Sequence, residues 1–373
     1  MAETRVVAEL SPTIWDDQFS TEFFQNNPFS AYAGTGSSNP IVMKEDFASK
    51  QGNGITFEFI TNLDRGSIKG RQPLRGHEDK LGEFGDKAYW DMRKKGISIH
   101  ELDADLAAID LRKASKASLK TWADEDVKYE VIERLQDVGQ NLDVTYNDAT
   151  AAEKNTWHTN NKDRVLYGNA LSNYVTNNHA TSLANIASPG GKATKETISL
   201  MKRIALSARP RITPTSLTKT ENRRFFVAFV GSLTMRDIVI SMSDAERTVS
   251  VQRRNEGLFL GGDREWDGVV IHEVDDMPIL PAVGAAGINV QPIFLLGQEA
   301  LGWALKSRYA SREQKDDYQQ VEGLGMIGKW GMKKLGYTIG DSGKTVQAID
   351  GTQTNVLGKQ RGVVNGFVAA IGD

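Results

Sequence analysis

The feature that most constrains this chain is the stretch from Gly54 to Ile99, which reads as two strands joined by a tip far longer than a hairpin needs. Ile55, Phe57 and Phe59 alternate with Thr56 and Glu58, the period-two pattern of a half-buried strand. A second strand is predicted from about Lys87 to Ile99, where Ile97 and Ile99 flank Ser98. Between the strands lie Arg65, Lys69, Arg71, Arg75, Glu78, Asp79, Lys80 and Glu83, punctuated by Gly66, Gly70, Gly76 and Gly82. Most hairpin loops have about two to five residues, so a connection of roughly 20 reaches for something or stays disordered. An isolated two-stranded ribbon is marginal in water because it cannot bury its own apolar face. The ribbon must therefore lie on its own subunit or on a neighbour. We expect the neighbour, which makes this a protein whose job is to touch copies of itself.

Bulk properties narrow the alternatives. At 373 residues the chain has room for two or three packed units. A hydrophobic share of 39% supplies real cores and excludes a disordered chain. A formal net charge of −3 argues against a dedicated nucleic-acid binder, and suits a surface that sits beside nucleic acid without sticking to it. The absence of cysteine excludes disulfides, thiolate zinc sites and cysteine nucleophiles. Met1 to Trp15 contains Glu3, Arg5 and Glu9 and lacks the apolar run of a signal peptide. No window approaches the ~20 apolar residues that cross a bilayer. The expectation is a soluble protein made in a cytoplasm, with no membrane partner.

Residues 1–50 read as an arm. Trp15, Phe19, Phe23, Phe24, Phe29 and Tyr32 sit among Asn26, Asn27, Pro28, Gly34, Gly36 and Pro40, so an aromatic but irregular segment must be pinned on a surface, its own or a partner's. From Asp103 to Val138 the period turns helical. Leu102, Leu106 and Ile109 recur at three and four, as do Leu119 with Trp122, and Val127, Val131, Leu135 and Val138. Asp103 is the expected N-cap and Gly139 the expected stop, with a break allowed near Arg112–Lys116. Residues 140–192 are polar and asparagine-rich, with a helix expected near Ala151–Arg164. Thr194 is placed to cap a helix over Lys195–Ala208 whose buried face is Ile198, Met201, Ile204 and Ala205. Arg224–Val230, Gly268–Val274, Gln291–Leu296 and Gly362–Ala370 read as strands, the first covered on both faces. Helices and strands mix without a βαβ rhythm, so the fold class is α+β.

No motif carries catalytic chemistry. Gly323-Leu324-Gly325-Met326-Ile327-Gly328 matches a dinucleotide fingerprint as text, but Lys329-Trp330-Gly331-Met332 follows where a helix should, and a glycine-bent strand is the expectation. Gly340–Thr345 and Ser188–Lys192 each miss one requirement of a phosphate loop. His77, His100, His158, His179 and His272 include no pair at the spacing of a helical zinc site. His272-Glu273 with Asp275-Asp276 suggests a metal only until strand parity puts His272 and Glu273 on opposite faces. Nothing fixes the separation of Asp16-Asp17 from Asp316-Asp317, so they read as solvated charge. We expect no catalytic residue, no cofactor and no metal. The lysines Lys50, Lys80, Lys94 and Lys95 read as solvated rather than phosphate-binding.

The order of these elements carries a resemblance, supported by phrases along the chain: Ala108-Ile109-Asp110-Leu111-Arg112, Leu119-Lys120-Thr121-Trp122-Ala123, Asp163-Arg164-Val165-Leu166-Tyr167-Gly168, Ser182-Leu183-Ala184-Asn185-Ile186, Asp267-Gly268-Val269-Val270-Ile271 and Phe294-Leu295-Leu296-Gly297-Gln298-Glu299-Ala300-Leu301-Gly302. Together they resemble the major capsid proteins of tailed bacteriophages, with the Hong-Kong-97-type fold, and more narrowly the N-four-like podovirus major head protein family. Gly336–Arg361 departs from that pattern by being longer and more polar, as a surface insertion would be. The resemblance implies an N-terminal arm over 1–50 and an extended β-hairpin loop over 51–100. It implies a peripheral domain from 101–140 with its spine helix, completed by strands from about 291–335. An axial domain takes mainly 141–290, and 336–373 holds the polar insertion and closing strand. The implied function is a major capsid protein that assembles into hexamers and pentamers of an icosahedral shell around double-stranded DNA, made in the host cytoplasm and located in the virion. Implied contacts between subunits are Arg65, Lys69, Arg71, Arg75, Glu78, Asp79, Lys80 and Glu83 in the loop; Trp15, Phe19, Phe23, Phe24 and Phe29 would be contacts of the arm. Further partners would be scaffolding, portal and decoration proteins, with DNA held by weak non-specific contact. The rivals are a nanocompartment shell of the same fold, a nucleotide-binding enzyme, and an N-terminally anchored adaptor that never closes a lattice.

Overall fold

The computed structural model describes residues 28–45, 52–61, 67–71, 73–78, 81–107, 110–216, 224–246, 264–317, 320–340, 345–347 and 353–371. Its centre is a six-stranded mixed sheet in the order Val165–Tyr167, Val363–Ala369, Val290–Leu296, Phe226–Gly231, Val269–Val274, Arg264–Trp266. Strand parity divides this sheet between two cores. Phe226, Ala228, Val230, Val269, Ile271, Ile293 and Leu295 face the helices Lys195–Ser207 and Ser232–Ser241. Val227, Phe229, Val270, Phe294 and Leu296 face the other way, into a core shared with the long helix and with Phe29 and Tyr32. The continuous apolar run at Phe226–Val230 is explained by this double cover: every residue of the strand is buried. Thr194 caps Lys195–Ser207 through a reciprocal bond with Thr197, and Ile198, Met201, Ile204 and Ala205 form the buried face, as expected.

The long helix runs from Leu111 to Gln136, about 39 Å at 1.5 Å per residue. The break falls before it, not within Arg112–Lys116. His100, rather than Asp103, caps a separate short helix Glu101–Leu106, and the Asp110 carboxylate accepts from the Lys113 amide to start the long one. That interruption destroys the phase linking the two segments. Leu119, Ala123, Val127, Val131 and Leu135 are buried, while Leu102 and Leu106, which share their spacing pattern, are exposed. The long helix lies on a five-stranded sheet in the order Ala33–Gly34, Ile41–Lys44, Leu301–Asp316, Val321–Lys334, Asp91–His100. The glycine-rich segment 323–328 sits inside this sheet, with Gly323 opposite Ser98 and Gly325 opposite Gly96, so it is strand and not a cofactor loop. Among the described residues, no helix is long and apolar enough to cross a membrane.

The asparagine-rich middle packs as a third layer. Helix Ala151–Asn160 is capped by a Thr150–Glu153 box and places Trp157 fully inside, against Phe367 of the closing strand. Trp157→Ala is expected to lower stability by about 3–5 kcal/mol, read from urea unfolding, because the cavity cannot refill from a packed core.

Candidate assembly surface

The ribbon is built from Gly54–Ile60 and Glu83–Tyr89, antiparallel, with Gly54 opposite Tyr89 and Ile60 opposite Glu83. The second strand expected over Lys87–Ile99 is thus two strands in two sheets. It divides at Trp90, after which Asp91–His100 pairs with Val321–Lys334. The cause of the handover is a close approach. A Cβ on Gly331 would lie 2.0 Å from the Tyr89 carbonyl oxygen, so only glycine lets the two backbones meet there. Trp90 is tied back by its amide to Asn53 O at 3.1 Å and by its indole to Gly52 O at 2.9 Å. Gly331→Ala is expected to push these backbones apart and cost about 1–3 kcal/mol, visible as a lowered melting temperature.

Ile55, Phe57 and Phe59 occupy the inner face, opposite Ala88, Asp86 and Phe84. They pack on Val42, Ala304, Leu335, Tyr337 and Val356 of the same subunit. The rings of Phe59 and Phe84 meet Tyr337 edge-on at 6.0 and 5.5 Å, and the Arg361 guanidinium stands 4.0 Å from the Phe59 ring. This corrects the expectation that the ribbon strands find their burial on a neighbour. The polar stretch 336–361 hides Tyr337 and Val356, and these, with Leu335 just before it, close over the ribbon from its own chain. Ile339–Gly340 adds a third strand beside Glu83–Tyr89.

One inner-face residue is charged. Asp86 is fully buried and receives Lys333 Nζ at 2.5 Å and Thr338 Oγ1 at 2.8 Å, with the Gly336 amide at 2.9 Å on its other oxygen. Burial pushes its pKa up, and the Lys333 charge pulls it back. The residue clips the ribbon root to the five-stranded sheet. Its parity with Phe84 and Ala88 was the available signal that it points inward.

What remains open is the outer face and the tip. Ile60 is 65% exposed, Tyr89 58% and Ile339 55%, and Ile339 lies opposite Gly85 on that outer face. Thr61 closes the ribbon on Gly82 by donating its backbone N–H to the Gly82 carbonyl oxygen at 3.0 Å. Beyond it Gly70 and Gly76 adopt φ of +76° and +90°, conformations that suit glycine. Leu74 and Leu81 are exposed at 67% and 53%. Lys69, Arg71, Arg75, Glu78 and Glu83 are exposed as well, and among the described residues none of the three cations has an acidic partner. Glu78 accepts from the Gly76 amide at 2.7 Å. Arg65, Asp79 and Lys80 lie outside the described residues, as do Trp15, Phe19, Phe23 and Phe24. Phe29 is buried in its own subunit, with its ring 4.5 Å from that of Phe229. His272 is buried too, hydrogen-bonded to the Tyr32 hydroxyl, while Glu273 points outward. Exposed aliphatic residues interspersed with exposed charge are the composition of a contact surface. The apolar members Ile60, Leu74, Leu81 and Ile339 were not singled out in the sequence.

Known proteins share both sequence and architecture with this chain. The family described as phage capsid protein matches residues 4–355. The capsid asymmetric unit of cyanophage Pam1 superposes with a TM-score of 0.78 at 26% identity, covering 100% of both chains. The capsid of Ralstonia phage GP4 gives 0.70 at 17% identity over 93% of this chain and 92% of that one. The acid-stable capsid of Helicobacter pylori bacteriophage KHP30 gives 0.62 at 13%, over 91% and 90%. A search of curated proteins returned no match.

Proposed function

From the premise that this chain belongs to the phage capsid protein family and is a major capsid shell protein, we propose that it closes an icosahedral lattice of hexamers and pentamers by laying its ribbon tip across a neighbouring copy. The observation that carries this is the contrast along one ribbon. Its root is satisfied within the subunit, whereas its outer face and tip present Ile60, Leu74 and Leu81 beside the cations Lys69, Arg71 and Arg75, which have no acidic partner among the described residues. In this reading Arg65, Arg71 and Arg75 meet carboxylates of the neighbour as bidentate forks, and Lys69, Glu78, Asp79, Lys80 and Glu83 complete the contact. Trp15, Phe19, Phe23 and Phe24 extend the arm, anchored at Phe29, over an adjacent surface. Each contact is weak, and repetition around closed symmetry makes the shell strong. The glycines of the tip let one sequence fit both hexamer and pentamer curvature.

The role is structural and not catalytic. Segments 1–50 and 51–100 act as arm and extended loop; 101–140 with about 291–335 forms a peripheral domain, and 141–290 an axial one. The subunit is made in the host cytoplasm, takes scaffolding, portal and decoration proteins as partners, and encloses double-stranded DNA through weak non-specific contact. Particles assembled from mixed light and heavy-isotope chains test the central claim. Lysine cross-links from Lys69 and Lys80 should appear as mixed-isotope pairs. Cross-links confined to single-isotope pairs would overturn it.

A further inference from the structure

Beneath the closing strand Val363–Ala369 runs a buried chain of alternating phenols and imidazoles. Tyr146 Oη lies 2.8 Å from His179 Nε2, and His179 Nδ1 lies 2.7 Å from Tyr167 Oη. Tyr167 Oη is in turn 2.7 Å from His158 Nδ1, and His158 Nε2 is 2.8 Å from the Val175 carbonyl oxygen. The four side chains come from the loop before Ala151–Asn160, from that helix, from strand Val165–Tyr167 and from helix His179–Ala184. All four are buried. The Tyr167 ring stacks on Phe367 at 5.4 Å, and His158 stacks on Tyr174 at 4.1 Å. The chain thereby ties the asparagine-rich layer to the six-stranded sheet.

The carbonyl end fixes the direction of every bond. A carbonyl only accepts, so His158 Nε2 carries a hydrogen and, in the neutral ring, Nδ1 accepts from Tyr167. Tyr167 then accepts from His179 Nδ1–H, and His179 Nε2 accepts from Tyr146. Four hydrogens fill four links. A proton added to His158 Nδ1 faces the Tyr167 oxygen, which already accepts from His179, and leaves the Tyr167 hydrogen with no acceptor in the chain; one added to His179 Nε2 reverses the link to Tyr146 and turns the Tyr146 hydrogen out of the chain.

We propose that this chain is an acid-sensitive lock, in which proton uptake by His158 or His179 upsets the bonding order and frees the helices Ala151–Asn160 and His179–Ala184 from the sheet strand that carries Tyr167. Its surroundings resist that proton. Lys154 Nζ stands 4.4 Å from the Tyr146 ring, Lys162 Nζ 5.9 Å from the Tyr174 ring and Lys334 Nζ 5.6 Å from the Trp157 ring. The nearby carboxylates are already engaged: Asp163 by Lys359 at 3.0 Å, and Asp137 by Arg134 at 3.0 Å. Burial pulls the His179 pKa down to about 3, helped by His158 and Lys154, and burial lowers that of His158 as well.

The sign follows. The folded state keeps both rings neutral while the unfolded chain takes up protons near pH 6.5, so stability is lost as pH falls below that value. Each histidine adds up to about tenfold to the unfolding constant per pH unit. The lock belongs to the single subunit, so failure of the shell reading, seen in micrographs, would leave it standing. Urea unfolding of the full chain between pH 7.5 and 4.5, compared with a His158→Gln/His179→Gln variant, tests it. The wild-type constant should rise up to about 100-fold more steeply per pH unit than that of the variant, because other groups contribute equally to both. Equal slopes would overturn the proposal. Histidine nitrogen NMR of the wild-type chain gives a second readout should the variant fail to fold. His179 should carry its hydrogen on Nδ1 and His158 on Nε2, both neutral in folded protein at pH 5. The opposite tautomers, or a charged ring in the intact fold, would refute the lock.

Discussion

A subunit in which residues 62–81 are replaced by Asn-Gly should fold, remain soluble and form no shells. The two strands already end on a bonded pair, Thr61 and Gly82, so a two-residue turn can join them without disturbing their register. The inner face keeps all its cover, because Leu335, Tyr337 and Val356 come from elsewhere in the chain. The melting temperature should therefore stay within a few degrees of the full chain, since none of the described residues in this span belongs to a core. What disappears is the set of exposed aliphatic and charged side chains that the subunit does not use for itself, Leu74, Leu81, Lys69, Arg71 and Arg75 among them. Sedimentation and negative-stain microscopy should show small species only. Particles of normal size from this variant would refute the role given to the tip.

The same ribbon shows what a sequence can and cannot disclose. The alternation of Ile55, Phe57 and Phe59 is local, and the structure has these three on one buried face. What covers that face is not local. Part of it, Tyr337 and Val356, comes from residues nearly 300 positions later, inside a stretch whose composition reads as polar, and no periodicity links the two. The handover at Trp90 was illegible for a related reason: it is set by the approach of Gly331, a residue far along the chain. Leu102 and Leu106 share the spacing of Leu119 and Val127 yet face solvent, because the Asp110 cap restarts the helix and breaks their common phase. Segments whose signal is carried by their own residues, such as Phe226–Val230 and Lys195–Ser207, were legible almost to the boundary. In the tip, the charges stood out by their number. Ile60, Leu74 and Leu81 did not, since single apolar residues are common on surfaces and only burial distinguishes them.

Asp86→Ala should cost about 3–5 kcal/mol, because it strands the Lys333 ammonium in a site built for a pair. The Lys333 side chain is only 13% exposed, and without Asp86 it has neither that counterion nor ready access to water. The Thr338 hydroxyl and the Gly336 amide also lose their acceptor. Removing both charges should be milder than removing one. An Asp86→Ala/Lys333→Met variant should recover a large part of the loss, so the two single effects should not add in a double-mutant cycle. Urea unfolding of the four proteins measures this, and strict additivity would show that the pair is not coupled. The clip also sets where the damage appears. It joins Glu83–Tyr89 to the end of Val321–Lys334, so its loss frees the ribbon root before the central sheet. Amide exchange at Gly54–Ile60 and Glu83–Tyr89 should accelerate in Asp86→Ala while that at Phe226–Gly231 changes little. A tip carried on a loosened root meets its neighbour less often in the right pose, so shell yield should fall even where the subunit stays folded.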